Sequence, residues 1–168
     1  KNFSIFEKPN NYVLENFKKV DFIFLISLLI IDNSDNTEYF IYKFNLSKKE
    51  KNRILYLNTF YKKNVDLKYF NEKNLNQIFY FDGLIHLVDI IQFKIFKSQK
   101  VDKKLVKLIE IYRDKKLPIM PFGADFLIKK FNLVPGKNLG KKLKHIEAAW
   151  VKNNFSISED QINSIIRD

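Results

Sequence analysis

The chain has no cysteine at all. That excludes disulfides, thiolate metal sites and a cysteine nucleophile, and it fits the reducing cytoplasm expected for this protein. Glycine and proline are scarce, four of each in 168 residues. A β-sandwich with many tight turns needs more breaks than this, whereas long helices need few. No apolar run approaches the roughly 20 residues of a membrane helix. The strongest, from Phe22 to Ile31, is ten residues long and reads as a core helix. The chain begins at Lys1 without a methionine or a signal-like basic segment, as expected of a processed chain or the C-terminal part of a longer protein.

Catalytic motifs are equally sparse. There is no Walker loop, GxGxxG, HExxH or GxSxG, and no tight acidic pair of the kind that holds magnesium for phosphoryl transfer. No catalytic residue and no metal ligand is therefore assigned. One array stands out: Asp82, His86 and Asp89, spaced i, i+4, i+7, fall on one stripe of a continuous helix. Carboxylate, imidazole and carboxylate in that order suit a metal or a proton relay, the basis of a metal-dependent hydrolase reading. A polar stripe that pairs with cations of a neighbouring helix gives the same pattern.

Hydrophobic residues make up 46% of the chain, enough for a core. The spacing predicts helices over Tyr12–Ile31, Glu38–Phe44, Ser47–Tyr61, Asn71–Phe96, Val101–Tyr112, Gly123–Phe131, Asn138–Asn153 and a short last helix from Ser158. Ser47 with Glu50, and Ser158 with Gln161, are capping boxes. Asn132 suits the left-handed residue after a helix. The fold class is thus all-α, a compact multi-helix domain of about seven helices. The expected division is a helical body, residues 1–116, and a basic helical tail, residues 117–168, with the two forming either separate units or one continuous domain.

Net charge is +11. A/T-rich codon usage raises lysine overall, but it does not explain clustering. From Lys115 to Lys152 there are nine lysines against only Asp125 and Glu147, a net +7. The same stretch holds three of the four prolines and three of the four glycines. At 100° per residue, Leu139, Leu143, Ile146 and Trp150 share one helical face, and Lys137, Lys141, Lys144 and Lys152 the other. Trp150 therefore reads as a packing anchor; Tyr56 and Tyr61 remain as candidate stacking residues. The helix is entered through Pro135-Gly136, where free N–H groups and the dipole favour a phosphate. Lys129 and Lys130 end the preceding helix across that turn. Lys129, Lys130, Gly136, Lys137, Lys141 and Lys144 are accordingly the candidate RNA-binding residues, with a polyanion as partner and no membrane. An ordinary solvated lysine face would look alike.

Three segments together resemble the C-terminal region of bacterial CCA-adding tRNA nucleotidyltransferases and their poly(A) polymerase relatives. They are Pro121-Phe122-Gly123-Ala124-Asp125-Phe126-Leu127, then Leu133-Val134-Pro135-Gly136-Lys137-Asn138-Leu139-Gly140, then Leu143 through Trp150. Upstream, Phe44-Asn45-Leu46-Ser47-Lys48-Lys49-Glu50 is similar to that family's Leu-x-Leu-Ser-x-x-Glu segment, and Asn74–Asp89 to its central helix. Asn132 stands where the family often has glycine, Phe126 where it has leucine, and the arginines of the central helix are absent. The resemblance implies a helical body and tail that hold the acceptor and TΨC arms of tRNA. Catalysis, with Mg2+ and CTP or ATP, would belong to an N-terminal head absent from this chain, the tail's partner in the full-length protein. The residues alone leave two other classes open: a helix–hairpin–helix DNA-binding module and a helical protein-interaction domain.

Overall fold

The computed structural model describes residues 9–167. Among them the chain is all-helical, with ten α-helices, two 3-10 turns and no strand. The helices are α1 Asn11–Asn16, α2 Phe22–Ile30, α3 Asn36–Lys43, α4 Lys48–Lys62 and α5 Glu72–Phe81. They continue with α6 Leu84–Phe96, α7 Lys103–Asp114, α8 Ala124–Phe131, α9 Lys137–Lys152 and α10 Glu159–Arg167.

The count exceeds the expected figure of about seven because eight segments were expected in all and two of them are broken. The Tyr12–Ile31 segment divides at Val20-Asp21. Asp21 is extended, and its carboxylate accepts from the Phe24 N–H, so it starts α2 as an N-cap instead of continuing α1. The Asn71–Phe96 segment divides at Asp82-Gly83. Gly83 has φ 89° and ψ 168°, a region open in practice only to glycine, and it interrupts the helical run ahead of α6. The apolar phase is lost there. Ile85, just past the break, is 52% exposed.

The chain forms two compact units. One comprises the residues up to Phe70 together with Asp82–Lys115. The other comprises Asn71–Phe81 and the chain from Lys116 on. The second unit thus takes α5 from the middle of the sequence in addition to the basic C-terminal stretch.

In the first unit α2, α4 and α7 pack against α6 or its neighbours. Phe24, Leu28, Ile54, Leu57, Leu87, Ile90, Ile91 and Ile109 are buried there. Phe24 meets the ring of Phe96 edge-on at 5.5 Å. Polar side chains lock the segment ends. Asn10 caps α1 and also donates to the carbonyls of Ile95 (3.0 Å) and Ser98 (2.8 Å) at the end of α6. Ser47 and Glu50 form the predicted capping box at the start of α4.

In the second unit α9 packs on α5, α8 and α10. Leu127, Leu139, Ile146 and Ile162 form its buried cluster, with Phe126, Leu143 and Ile157 against it. Trp150 is buried between Tyr80 (ring centres 5.6 Å apart) and Phe155 (5.0 Å), the packing role its phase predicted. Ser158 and Gln161 exchange both bonds of the second capping box.

Candidate nucleic-acid interface

The basic segment is a helix, a turn and a longer helix. Asn132 ends α8 in the left-handed conformation, φ 51° and ψ 35°, as its sequence position required. Gly136 then opens α9 at φ 154° and ψ −171°. With no side chain it supplies no oxygen to the first turn, and among the described residues no side-chain cap serves the leading N–H groups of α9. The positive end of a 16-residue helix is therefore open.

Burial follows the predicted phase. Leu139, Ile146 and Trp150 are buried, and Lys137, Lys141, Lys144 and Lys152 are exposed. Lys137, Lys141 and Lys144 have no ion-pair partner among the described residues. They span about 10 Å along one side of α9 at 1.5 Å per residue. Lys129, at the end of α8, is also exposed without an ion pair. Lys130 differs. Its ammonium is engaged by Glu159 and lies near the rings of Phe126 and Phe131, 5.4 and 5.9 Å from their centres. The face therefore consists of Gly136, Lys137, Lys141 and Lys144, with Lys129 beyond the turn and Lys130 held by its neighbour.

One adjacent lysine does something the sequence did not signal. Lys142 is half-buried and donates to the carbonyls of Ile166 (2.7 Å) and Ile165 (3.4 Å). It places a cation on the negative end of α10. Glu147, the one acid on this helix, accepts from the Tyr80 hydroxyl at 2.8 Å. Burial and that bond push the Tyr80 phenol above its ordinary value.

The Asp82–His86–Asp89 array does not form. Asp82 precedes Gly83 and lies outside α6, so the three residues do not share one helix. Asp82 accepts from the Tyr56 hydroxyl at 2.7 Å, and the His86 ring meets Tyr56 edge-on at 4.4 Å. Burial first, and the Asp82 carboxylate second, raise the Tyr56 phenol well above its ordinary range, so it stays a protonated donor. Asp89 is paired with Arg53. Among the described residues no group of three or more His, Asp or Glu side chains could hold a metal ion. Tyr56, a candidate for base stacking, is thus committed to the first unit's own packing.

No helix among the described residues is long and apolar enough to cross a membrane. Comparison with protein-family models, curated proteins and solved structures finds no match to this chain.

Proposed function

We propose that this chain is the RNA-gripping, non-catalytic C-terminal region of a cytoplasmic tRNA nucleotidyltransferase of the CCA-adding and poly(A) polymerase family. It would position the acceptor and TΨC arms of tRNA for 3′-end nucleotide addition by a catalytic head that this chain does not contain. Mg2+ and the nucleoside triphosphate belong to that head. The poly(A) polymerase-like architecture is part of the same reading, and the order of the Pro121–Leu127, Leu133–Gly140 and Leu143–Trp150 segments is its basis.

The observation that carries the reading is the row of unpaired lysines, Lys137, Lys141 and Lys144, on the solvent side of a helix whose N-terminus no side chain caps. Cations so placed neutralise phosphates without reading bases, so binding is salt-dependent and weakly sequence-dependent. An acceptor stem is A-form, and its shape and 2′-hydroxyls supply the remaining discrimination.

The test is tRNA binding as a function of salt, with the wild type and with Lys137→Glu/Lys141→Glu/Lys144→Glu. Loss of three phosphate contacts lowers the slope of log affinity against log salt by about 2 to 3. It lowers affinity at low salt by more than about tenfold. An unchanged slope and affinity would refute the face. Duplex DNA run at equal salt separates this reading from a helix–hairpin–helix DNA module, which the helix–turn–helix shape around Gly136 also suits: equal or tighter DNA binding would favour the module.

A further inference from the structure

A cavity of about 270 Å³ opens in the first unit between the end of α4 and the end of α6. We propose that it is a binding site for a phosphate monoester of a single planar ring. Three properties define that occupant. The size comes first: the volume lies just below the range of clefts that take drug-sized ligands, about 300–1,000 Å³. It suits one ring and one small charged group.

The walls come second. Phe60, Tyr61 and Phe93 line the cavity, with the Tyr61 and Phe93 rings 5.9 Å apart. Aromatic walls favour a flat occupant.

The charge comes third. The two ionisable cations that line the cavity are Lys94 and Lys97, and no acid lines it. Lys97 donates to the carbonyls of Leu28 (2.9 Å) and Ile31 (3.1 Å), and Lys94 to the carbonyl of Val65 (2.9 Å). An ammonium carries three hydrogens. After these bonds one remains on Lys97 and two on Lys94, a set that matches the terminal oxygens of a phosphate better than a single carboxylate oxygen. The Lys97 nitrogen is 5.4 Å from the Phe93 ring centre and 5.7 Å from that of Tyr61. The ammonium thus lies over these two rings, and an occupant that reaches it meets the aromatic wall beside it. The carbonyl bonds also fix both lysines before any ligand arrives, which limits the entropy lost on binding.

The experiment is calorimetric titration of the whole chain at neutral pH with phenyl phosphate, and with phenol and inorganic phosphate as half-ligands. Phenyl phosphate binds saturably with a dissociation constant below about 1 mM, and each half-ligand binds at least about tenfold more weakly. Lys94→Met weakens phenyl phosphate by at least about tenfold, whereas Lys137→Glu, in the other unit, leaves it unchanged. Proton NMR of the wild type, which does not depend on any variant folding, shows the Tyr61 and Phe93 ring resonances moving on titration. Absence of saturable binding at millimolar phenyl phosphate overturns the proposal. So does inorganic phosphate binding as tightly as phenyl phosphate, or ring resonances of Tyr61 and Phe93 that stay fixed. Because the RNA reading rests on Lys137, Lys141 and Lys144, the two proposals fail independently.

Discussion

Arg53 on α4 and Asp89 on α6 form a two-pronged ion pair, Nε to Oδ2 at 2.5 Å and Nη2 to Oδ1 at 2.8 Å, with the Asp89 side chain only 4% exposed. The same guanidinium reaches outward to Asp21, at the start of α2, at 2.7 Å. One arginine thus joins three helices of the first unit. The hydrogen bonds of Asp89 outweigh the effect of burial and raise the Arg53 guanidinium above its ordinary value, so it is charged at every working pH. Removing one partner leaves the other buried and uncompensated. Arg53→Met is therefore expected to cost about 3–5 kcal/mol in urea unfolding. The double variant Arg53→Met/Asp89→Leu should recover most of that loss, because no buried charge is left over. A single-variant cost below about 1 kcal/mol would show that the pair is not holding the unit together.

Asp21 gives the unit an acid-sensitive component. Burial works against its charge, but the hydrogen bonds from Arg53 and from the Phe24 N–H prevail and hold its carboxyl below the usual value. A depressed acid contributes stability that is fully present above its unfolded value, about pH 4, and lost as pH falls through the folded value. Asp89 works the other way, since burial raises it. Asp21→Asn keeps the N-cap oxygen while removing the charge. Asp21 is 55% exposed, so the expected loss at neutral pH is modest, up to about 1 kcal/mol. The gap in melting temperature between wild type and Asp21→Asn should be constant above about pH 5 and close as pH falls through the lowered folded value. A gap that persists unchanged at the lowest pH would assign the effect to packing.

The two glycines Gly83 and Gly140 invite opposite outcomes from the same substitution. A Cβ built on either meets nothing within 4 Å, so sterics with neighbours do not decide. Backbone conformation does. Gly83 sits at φ 89° and ψ 168°, where Gly83→Ala should cost about 1–3 kcal/mol. Gly140 lies inside α9 with an ordinary helical backbone, where Gly140→Ala should stabilise by about 0.5–1 kcal/mol. Paired thermal melts check both signs, and a neutral Gly83→Ala would show that the positive φ at Gly83 carries no strain for other residues.

That last point marks the limit of what the sequence conveyed. Ser47 with Glu50, Ser158 with Gln161, and Asn132 were legible because each acts on backbone groups within a few residues. So was the phase of α9, where Leu139, Ile146 and Trp150 turned inward. The break at Gly83 was not legible, because apolar residues continue on both sides of it and a lone glycine is tolerated in a helix. Its positive φ broke the helix and left Asp82 outside it, and Asp89, expected on a polar stripe with Asp82 and His86, pairs instead with Arg53. The partner of the buried Asp89 is 36 residues away, beyond any local pattern. Lys94 and Lys97 were hidden for the same reason: the carbonyls they serve belong to other parts of the chain.

Lysines two positions apart in α9 should therefore separate two functions. Lys142 spends its ammonium on the last carbonyls of α10, and Lys144 is exposed without an ion pair. Removing a cation from a helix C-terminus costs about 0.3–1 kcal/mol at exposed sites and up to about 2 where it is partly buried. Lys142→Ala is therefore expected to lower stability by about 1 kcal/mol, with α10 losing amide-exchange protection first. Its effect on tRNA binding should be small, since its nitrogen already faces Ile166. Lys144→Ala should do the reverse, leaving the melting temperature in place and reducing the salt slope of tRNA binding by about 0.7–0.9. Hydrogen exchange and salt-dependent binding on the two single variants measure both axes. If Lys142→Ala weakens tRNA binding as much as Lys144→Ala while α10 keeps its protection, the division of α9 into a capping lysine and a phosphate-facing row is wrong.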